Sequence, residues 1–293
     1  MFAKAYALAS EFTQPVIIST RLYSGEVKCG VAAFVVLNKE GWIVTAAHVW
    51  NAFVARREHL KQIRQYEAAL QAIQTNSAAS TQQKTNKMRQ LKSNPQWISN
   101  HSFWWAWPGV RHKEFYVRSD IDLALARLEP FEPAMVKAYP TIKDPSKNMQ
   151  PGTSLCRLGY PFHEIHATYD EKTRTFNLAP DALPIARFPI EGIYTRNCIV
   201  ERSQDGKYEV KFLETSSPGL RGQSGGPIFD VNGTVWAIQS QTTHFDLGFS
   251  PKIKRGNREI EEHQFLSAGW GVHPEVLTAF LRDKNIDFKL SDY

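Results

Sequence analysis

Gly222-Gln223-Ser224-Gly225-Gly226-Pro227 is the stretch on which the rest of the chain turns. A glycine two residues ahead of a serine carries no Cβ, so its peptide N–H can enter a tight turn closed to other residues. That N–H and the one of Ser224 can then converge on one point, which is what holding an oxyanion requires. Gly225 and Gly226 admit a neighbouring strand behind the serine. Pro227-Ile228-Phe229 reads as the start of a buried strand. A bare Gly-x-Ser-x-Gly also describes an ordinary turn with a surface serine, so the hexamer gains meaning only from its companions.

Those companions are Thr45-Ala46-Ala47-His48 and Asp122-Leu123-Ala124-Leu125. A serine hydroxyl is a weak nucleophile at neutral pH and needs a base beside it. Histidine can take the proton and return it to a leaving group. A carboxylate then fixes the imidazole tautomer and steadies the imidazolium. Asp122 opens an apolar strand and fits that part; Asp120 competes for it but also reads as a turn cap.

In the order His48, Asp122, Ser224, the chain resembles the trypsin-like, chymotrypsin-fold serine peptidases, and among them the intracellular, HtrA/Deg-like branch without a PDZ domain. The resemblance covers residues 16–50 and 119–280. It implies a mainly β fold of two six-stranded antiparallel β-barrels, with a helical hairpin insertion and a C-terminal helix. One lobe would span 1–135 and carry His48 and Asp122; the other would span 136–293 and carry Ser224. It also implies peptide-bond hydrolysis through a serine ester, with His48, Asp122 and Ser224 catalytic and the N–H groups of Gly222 and Ser224 as oxyanion hole. A protein or peptide would be the substrate, with no metal or organic cofactor.

By the same likeness Pro218 stands at the base of the specificity pocket and offers no carboxylate to a Lys or Arg side chain. Ser240, Gln241 and Thr242 lie on the strand that pairs with substrate. Arg221, Thr242 and His244 would favour an acidic or polar side chain. Secreted relatives carry an aspartate at the position of Gln223, where it pairs with a freshly cut N-terminus. Glutamine has no charge for that pair, so activation by N-terminal cleavage is not expected.

A chain of 293 residues, 42% hydrophobic and 22% charged, has the composition of an ordinary globular protein. No apolar run reaches membrane-spanning length. The apolar stretch of residues 1–10 is short and meets Glu11 at once, so no signal peptide is expected. Of the three cysteines, Cys29 would be clamped in secreted relatives to the residue after the histidine, here Val49. Cys156 and Cys198 sit in apolar strand-like runs and read as buried thiols. The odd count predicts a reducing cytoplasm.

Residues 51–118 hold eleven Lys/Arg against three Glu, a net +8, while the remainder is −2. Leu60, Ile63, Leu70 and Ile73 mark an apolar stripe, and Met88 and Leu91 a second, weaker one before Pro95. The stretch 51–118 thus reads as an insertion opening with a helical hairpin. It is either a solvated decoration or a docking and regulatory element for an acidic partner, nucleic acid included. Trp97, Phe103, Trp104, Trp105 and Trp107 either pack this insertion onto the body or form a partner patch. Residues 163–187 read as a polar, irregular loop. Val231-Asn232-Gly233-Thr234 predicts a hairpin turn, and 274–282 a helix with Val276, Leu277, Phe280 and Leu281 inward.

Two other readings compete. The serine motif also fits the nucleophile elbow of an α/β-hydrolase, but Gly-Gly-Pro is a poor helix start and His48 and Asp122 would be orphaned. A catalytically silent, protease-shaped binding module would use the basic insertion as its working surface.

Overall fold

The computed structural model describes residues 1–256 and 258–293. Short β-branched runs separated by turn residues build most of it. Strands β1 (Thr13–Leu22), β2 (Val27–Val36) and β3 (Trp42–Thr45) are followed by β4 (Ile98–Trp105), β5 (Arg111–Arg118) and β6 (Leu123–Glu129). They form one six-stranded sheet in the order β4-β1-β2-β3-β6-β5. The Asn38 side chain sets the β2–β3 turn by accepting from the Glu40 and Trp42 N–H groups.

The second half supplies β7 (Thr141–Ile142), β8 (Ser154–Gly159), β9 (Ala167–Asp170), β10 (Thr175–Leu178) and β11 (Phe188–Arg202). After them come β12 (Glu209–Thr215), β13 (Pro227–Phe229), β14 (Val235–Asp246), β15 (Lys252–Arg255), β16 (Arg258–Glu261), β17 (Phe265–Val272) and β18 (Lys289–Leu290). Here β8, β11, β12, β17, β14 and β13 close into a ring, since β13 pairs with both β8 and β14. Ring closure removes the free strand edges that an open sheet would expose. The chain is therefore mainly β, with a chymotrypsin-like pair of six-stranded units. The first sheet curls without a hydrogen-bonded seam between β4 and β5.

The expected helical hairpin forms as α2 (Asn51–Thr75) and α3 (Thr81–Gln90). Ser80 caps α3 through a capping box with Gln83, the pattern that starts a helix by satisfying two free N–H donors. The insertion is shorter than 51–118, because its last third is β4 and β5, integral to the first sheet. The sequence does not declare β4, because aromatic residues, not a clean alternation of apolar and polar ones, carry it. Trp105 is fully buried, and Trp50 stacks on Phe115 at 4.9 Å and tilts against Phe103 at 5.0 Å. Trp97 meets Tyr66 of α2 and Tyr23 after β1. The aromatic cluster thus packs the hairpin onto the sheet. Arg56 and His59 of α2 also bond the backbone of Ser99 and Ile98 on β4.

Two further elements differ from expectation. Residues 3–12 form α1 (Ala3–Phe12), whose Ala5, Ala9 and Phe12 are buried. Small alanines on one face let this short helix lie close to the second ring, with Phe2 edge-on to Phe229 at 6.2 Å. The loop 163–187 contains the β9–β10 hairpin. As the apolar stripe predicts, α4 (Pro274–Asp283) buries Val276, Leu277, Phe280 and Leu281. Its cap is His273, whose Nδ1 accepts the Glu275 N–H; burial drives its pKa down to about 3, which keeps the ring a neutral acceptor. No helix among the described residues is long and apolar enough to cross a membrane.

Removing the Trp105 ring leaves a void in the core that the first sheet packs around Phe34 and Trp50. Trp105→Ala should cost about 3–5 kcal/mol, against less than about 0.5 kcal/mol for Arg64→Ala on the exposed face of α2. Guanidinium unfolding midpoints of the two variants check the difference.

Candidate active site

His48 sits in a single 3₁₀ turn, Ala47–Trp50, immediately after β3. Ala46 and Ala47 are buried, so the backbone lies flat on the core and the imidazole is thrown outward. Asp122 lies just ahead of β6, with φ +48°, a left-handed conformation that aspartate tolerates better than most residues. Its carboxylate accepts from the His48 backbone N–H at 3.0 Å and faces Nδ1 at 3.1 and 3.0 Å through its two oxygens. This arrangement assigns the Nδ1 proton and leaves Nε2 as the basic nitrogen. Burial pulls the His48 pKa down, but the hydrogen bond and charge of Asp122 outweigh it, and the net direction is upward. Asp120, the competing carboxylate, is held by Arg118 at 2.8 Å and by the Gln204 N–H.

Ser224 comes from the other sheet, on the turn leading into β13. Gly222 adopts φ +93°, and a Cβ there would stand 2.3 Å from the Tyr160 carbonyl, so only glycine fits. Gly225, with φ +81°, presses against Thr45 and the Ala33 carbonyl. The Ser224 carbonyl accepts from the Ala33 N–H at 2.9 Å, docking the turn onto β2. Among the described residues the N–H groups of Gly222 and Ser224 have no partner within the chain. Gln223 is fully buried, accepts from the Leu220 N–H at 2.9 Å and donates to the Phe188 carbonyl at 3.3 Å.

Ser224, Gly222 and His48 line one cleft of about 850 Å³, together with Arg221, Tyr160 and Phe162. No hydrogen bond joins the Ser224 hydroxyl to His48 among the described residues; such contacts commonly tighten only around substrate. A second cavity of about 620 Å³ opens on the far side of His48, beside Gln241 and Trp270. Beyond Gln239, β14 is paired on one flank only, with β17.

The residues expected to touch substrate fall in different places. The Ser240 hydroxyl is given to Asp122 instead, so it braces the carboxylate from the opposite sheet. No single-residue signal marks that role; only the meeting of the two sheets shows it. The Thr242 hydroxyl is donated to the Gly219 carbonyl at 2.7 Å, and the Pro218 carbonyl is taken by Arg157. Gln241 lines the second cavity and Arg221 the main cleft. His244 lines neither and bonds Ser267 on the β14–β17 hairpin. All three cysteines are free thiols; Cys156 is buried, whereas Cys29 and Cys198 are partly exposed, so Cys198 is less enclosed than expected. No cluster suited to a metal ion occurs among the described residues.

The model of the trypsin-like peptidase domain matches residues 32–238, a span that encloses His48, Asp122 and Ser224, and the chain belongs to that family. No curated protein matches the chain. Among solved structures it is similar to the HtrA-type protease AlgW with tripeptide, at 11% identity and a TM-score of 0.48, over 97% of this chain and 63% of that one. It is similar too to the Rv3671c protease from M. tuberculosis in its active form, at 11% identity and a TM-score of 0.48, over 98% of this chain and 86% of that one. The chain thus spans less than two thirds of the AlgW chain.

The upward shift of His48 has a definite sign. Pairing with Asp122 stabilises the folded chain while the imidazole is protonated, and that contribution is lost as pH rises through the folded pKa. An NMR titration of the imidazole should give a midpoint above 6.5, falling in Asp122→Asn. A midpoint unmoved by that substitution would contradict the pairing.

Proposed function

We propose that the protein is a serine endopeptidase that hydrolyses peptide bonds in protein substrates. The observation that carries the reading is the carboxylate of Asp122, bonded to both the backbone and Nδ1 of His48, whose ring lines one cleft with Ser224. His48 Nε2 takes the proton of the Ser224 hydroxyl as the oxygen attacks the scissile carbonyl carbon. The unpartnered N–H groups of Gly222 and Ser224 receive the charge that forms on the carbonyl oxygen. His48 passes its proton to the departing amine as the C–N bond breaks, leaving a serine ester. Water then attacks the ester, with His48 again taking the proton and returning it to Ser224 as the acid leaves. Asp122 holds the ring in its tautomer throughout.

The substrate backbone adds as a strand along the open flank of β14 beyond Gln239. The N-terminal lobe, 1–135, delivers base and carboxylate, and the C-terminal lobe, 136–293, delivers the nucleophile. Gln223 satisfies its amide through the Leu220 N–H of its own loop and the Phe188 carbonyl of β11, so the turn orders without a new N-terminus. Three unpaired thiols fit a reducing, cytoplasmic setting. The exposed lysines and arginines of α2 and α3 offer a surface to an acidic regulatory partner.

A fluorophosphonate probe should add one adduct, mapped to Ser224, and Ser224→Ala should abolish it. Hydrolysis of a fluorogenic peptide library should fall by about 10⁴–10⁶ in kcat in the same variant. Labelling that persists in Ser224→Ala would sink the assignment.

A further inference from the structure

The cleft that Ser224 and His48 share holds a side chain that the proposed mechanism does not use. Phe162 lines it while 77% exposed, and a φ of +66° puts its backbone in the left-handed region. That conformation is rare for a bulky residue and persists only where the surroundings impose it. Here they do. Tyr160, buried, donates its N–H to the Gly222 carbonyl at 2.8 Å and its hydroxyl to the Thr13 carbonyl at 2.9 Å. Pro161 is buried against Gly222, where a Cβ would stand 3.0 Å from the Pro161 Cα. On the other side, His163 Nε2 donates to the Ala186 carbonyl at 3.0 Å. The chain is thus pinned to the serine turn just before Phe162 and to the loop ahead of β11 just after it.

An exposed ring on a strained backbone adds little to the stability of the fold. The Phe162 ring meets Phe188, itself 39% exposed, edge-on at 5.3 Å, so the two form an aromatic pair still open to water. Beside Ser224 the same cleft is walled by Val31, Ala32, Val49, Ala52 and Tyr160, which continue the apolar surface. A substrate backbone laid along β14 lies elsewhere, because Gln241 lines the cavity on the far side of His48 and not this cleft. The half held by that ladder of hydrogen bonds is the half that stays on as the ester. The half that departs with the amine then crosses Ser224 and runs into the cleft past Phe162.

We propose that Phe162 determines specificity for a large apolar side chain, such as Leu or Phe, within the two residues that follow the scissile bond. The proposal rests on the peptidase reading and adds the substrate class to it. The incoming side chain covers the Phe162 ring and the apolar wall, and all three leave water together. Lys28 and Arg221 line the cleft as well, so an acidic side chain is the competing occupant.

The test uses internally quenched peptides built on one cleavable sequence, with Leu, Phe, Ala, Glu or Lys at the first or the second position after the cut. At one of these positions wild type should prefer Leu or Phe over Ala by about 10- to 100-fold in kcat/KM, the worth of burying one such side chain. Phe162→Asn should bring that ratio close to one, and Phe162→Tyr should keep it. Asparagine tolerates the left-handed backbone, so Phe162→Asn removes the ring without adding strain. Equal cleavage of Leu and Ala peptides at both positions, a preference for Glu or Lys, or an apolar preference surviving in a cooperatively unfolding Phe162→Asn overturns the proposal. The Leu/Ala comparison uses wild type alone, so the proposal stands or falls on it even where a variant misfolds. Fluorophosphonate labelling of wild-type Ser224 separates the two levels. A labelled serine without apolar preference defeats only the specificity claim, and an unlabelled one defeats the peptidase reading beneath it.

Discussion

One carboxylate joins the two halves of this molecule. Asp122 belongs to the first sheet, as does His48, yet the Ser240 hydroxyl that braces it comes from β14 in the second. Its three donors approach from backbone, ring and hydroxyl, leaving the aspartate little freedom although it is only partly buried. A carboxylate so surrounded is kept in place by the same bonds that set the imidazole tautomer. The site exists only where both sheets are folded and docked, which ties function to the interface and not to either sheet alone.

The second tie runs through the serine turn. Ser224 is docked on β2 through its own carbonyl, and Gly225 leaves no room for a side chain between that turn and Thr45. Glycines there cost unfolded-chain entropy, a loss the docking must offset. The aromatic packing of Trp50, Phe103 and Trp105 lies directly behind the His48 turn. The hairpin α2–α3 is thus anchored to the element that carries His48.

Much of this is legible in the chain. The Gly-x-Ser-Gly-Gly-Pro turn, the Thr-Ala-Ala-His strand end and the Asp122 strand start are local patterns whose chemistry needs those residues. The stripes of α2 and α4 follow the helical period, and Asn232-Gly233 announces its turn. What stays hidden depends on tertiary context. β4 is written in aromatics that a helix insertion could equally bury. α1 is too short and alanine-rich to declare a face until Phe229 and Leu158 stand opposite it. Ser240 reads as a substrate contact from its place on the groove strand; only Asp122 from the other sheet shows where its hydroxyl goes. Arg157 offers no signal, since a basic residue inside an apolar strand reads as an outward-facing one.

Two glutamines near the serine show how the fold distributes order and slack. Gln223 stands where charge would be needed to lock the turn in a cleavage-activated relative, and both sides of its amide are satisfied, by the Leu220 N–H of its own loop and the Phe188 carbonyl of β11. That turn is therefore built complete, with no ion pair waiting to form. Gln239 is buried nearly as deeply but satisfied on one side only, its Nε2 on the Gln241 carbonyl and its Oε1 without a partner. Buried polar groups are normally paired. The serine turn is thus closed by bonds of its own, while the strand beside it carries a buried amide whose hydrogen bonding is left incomplete.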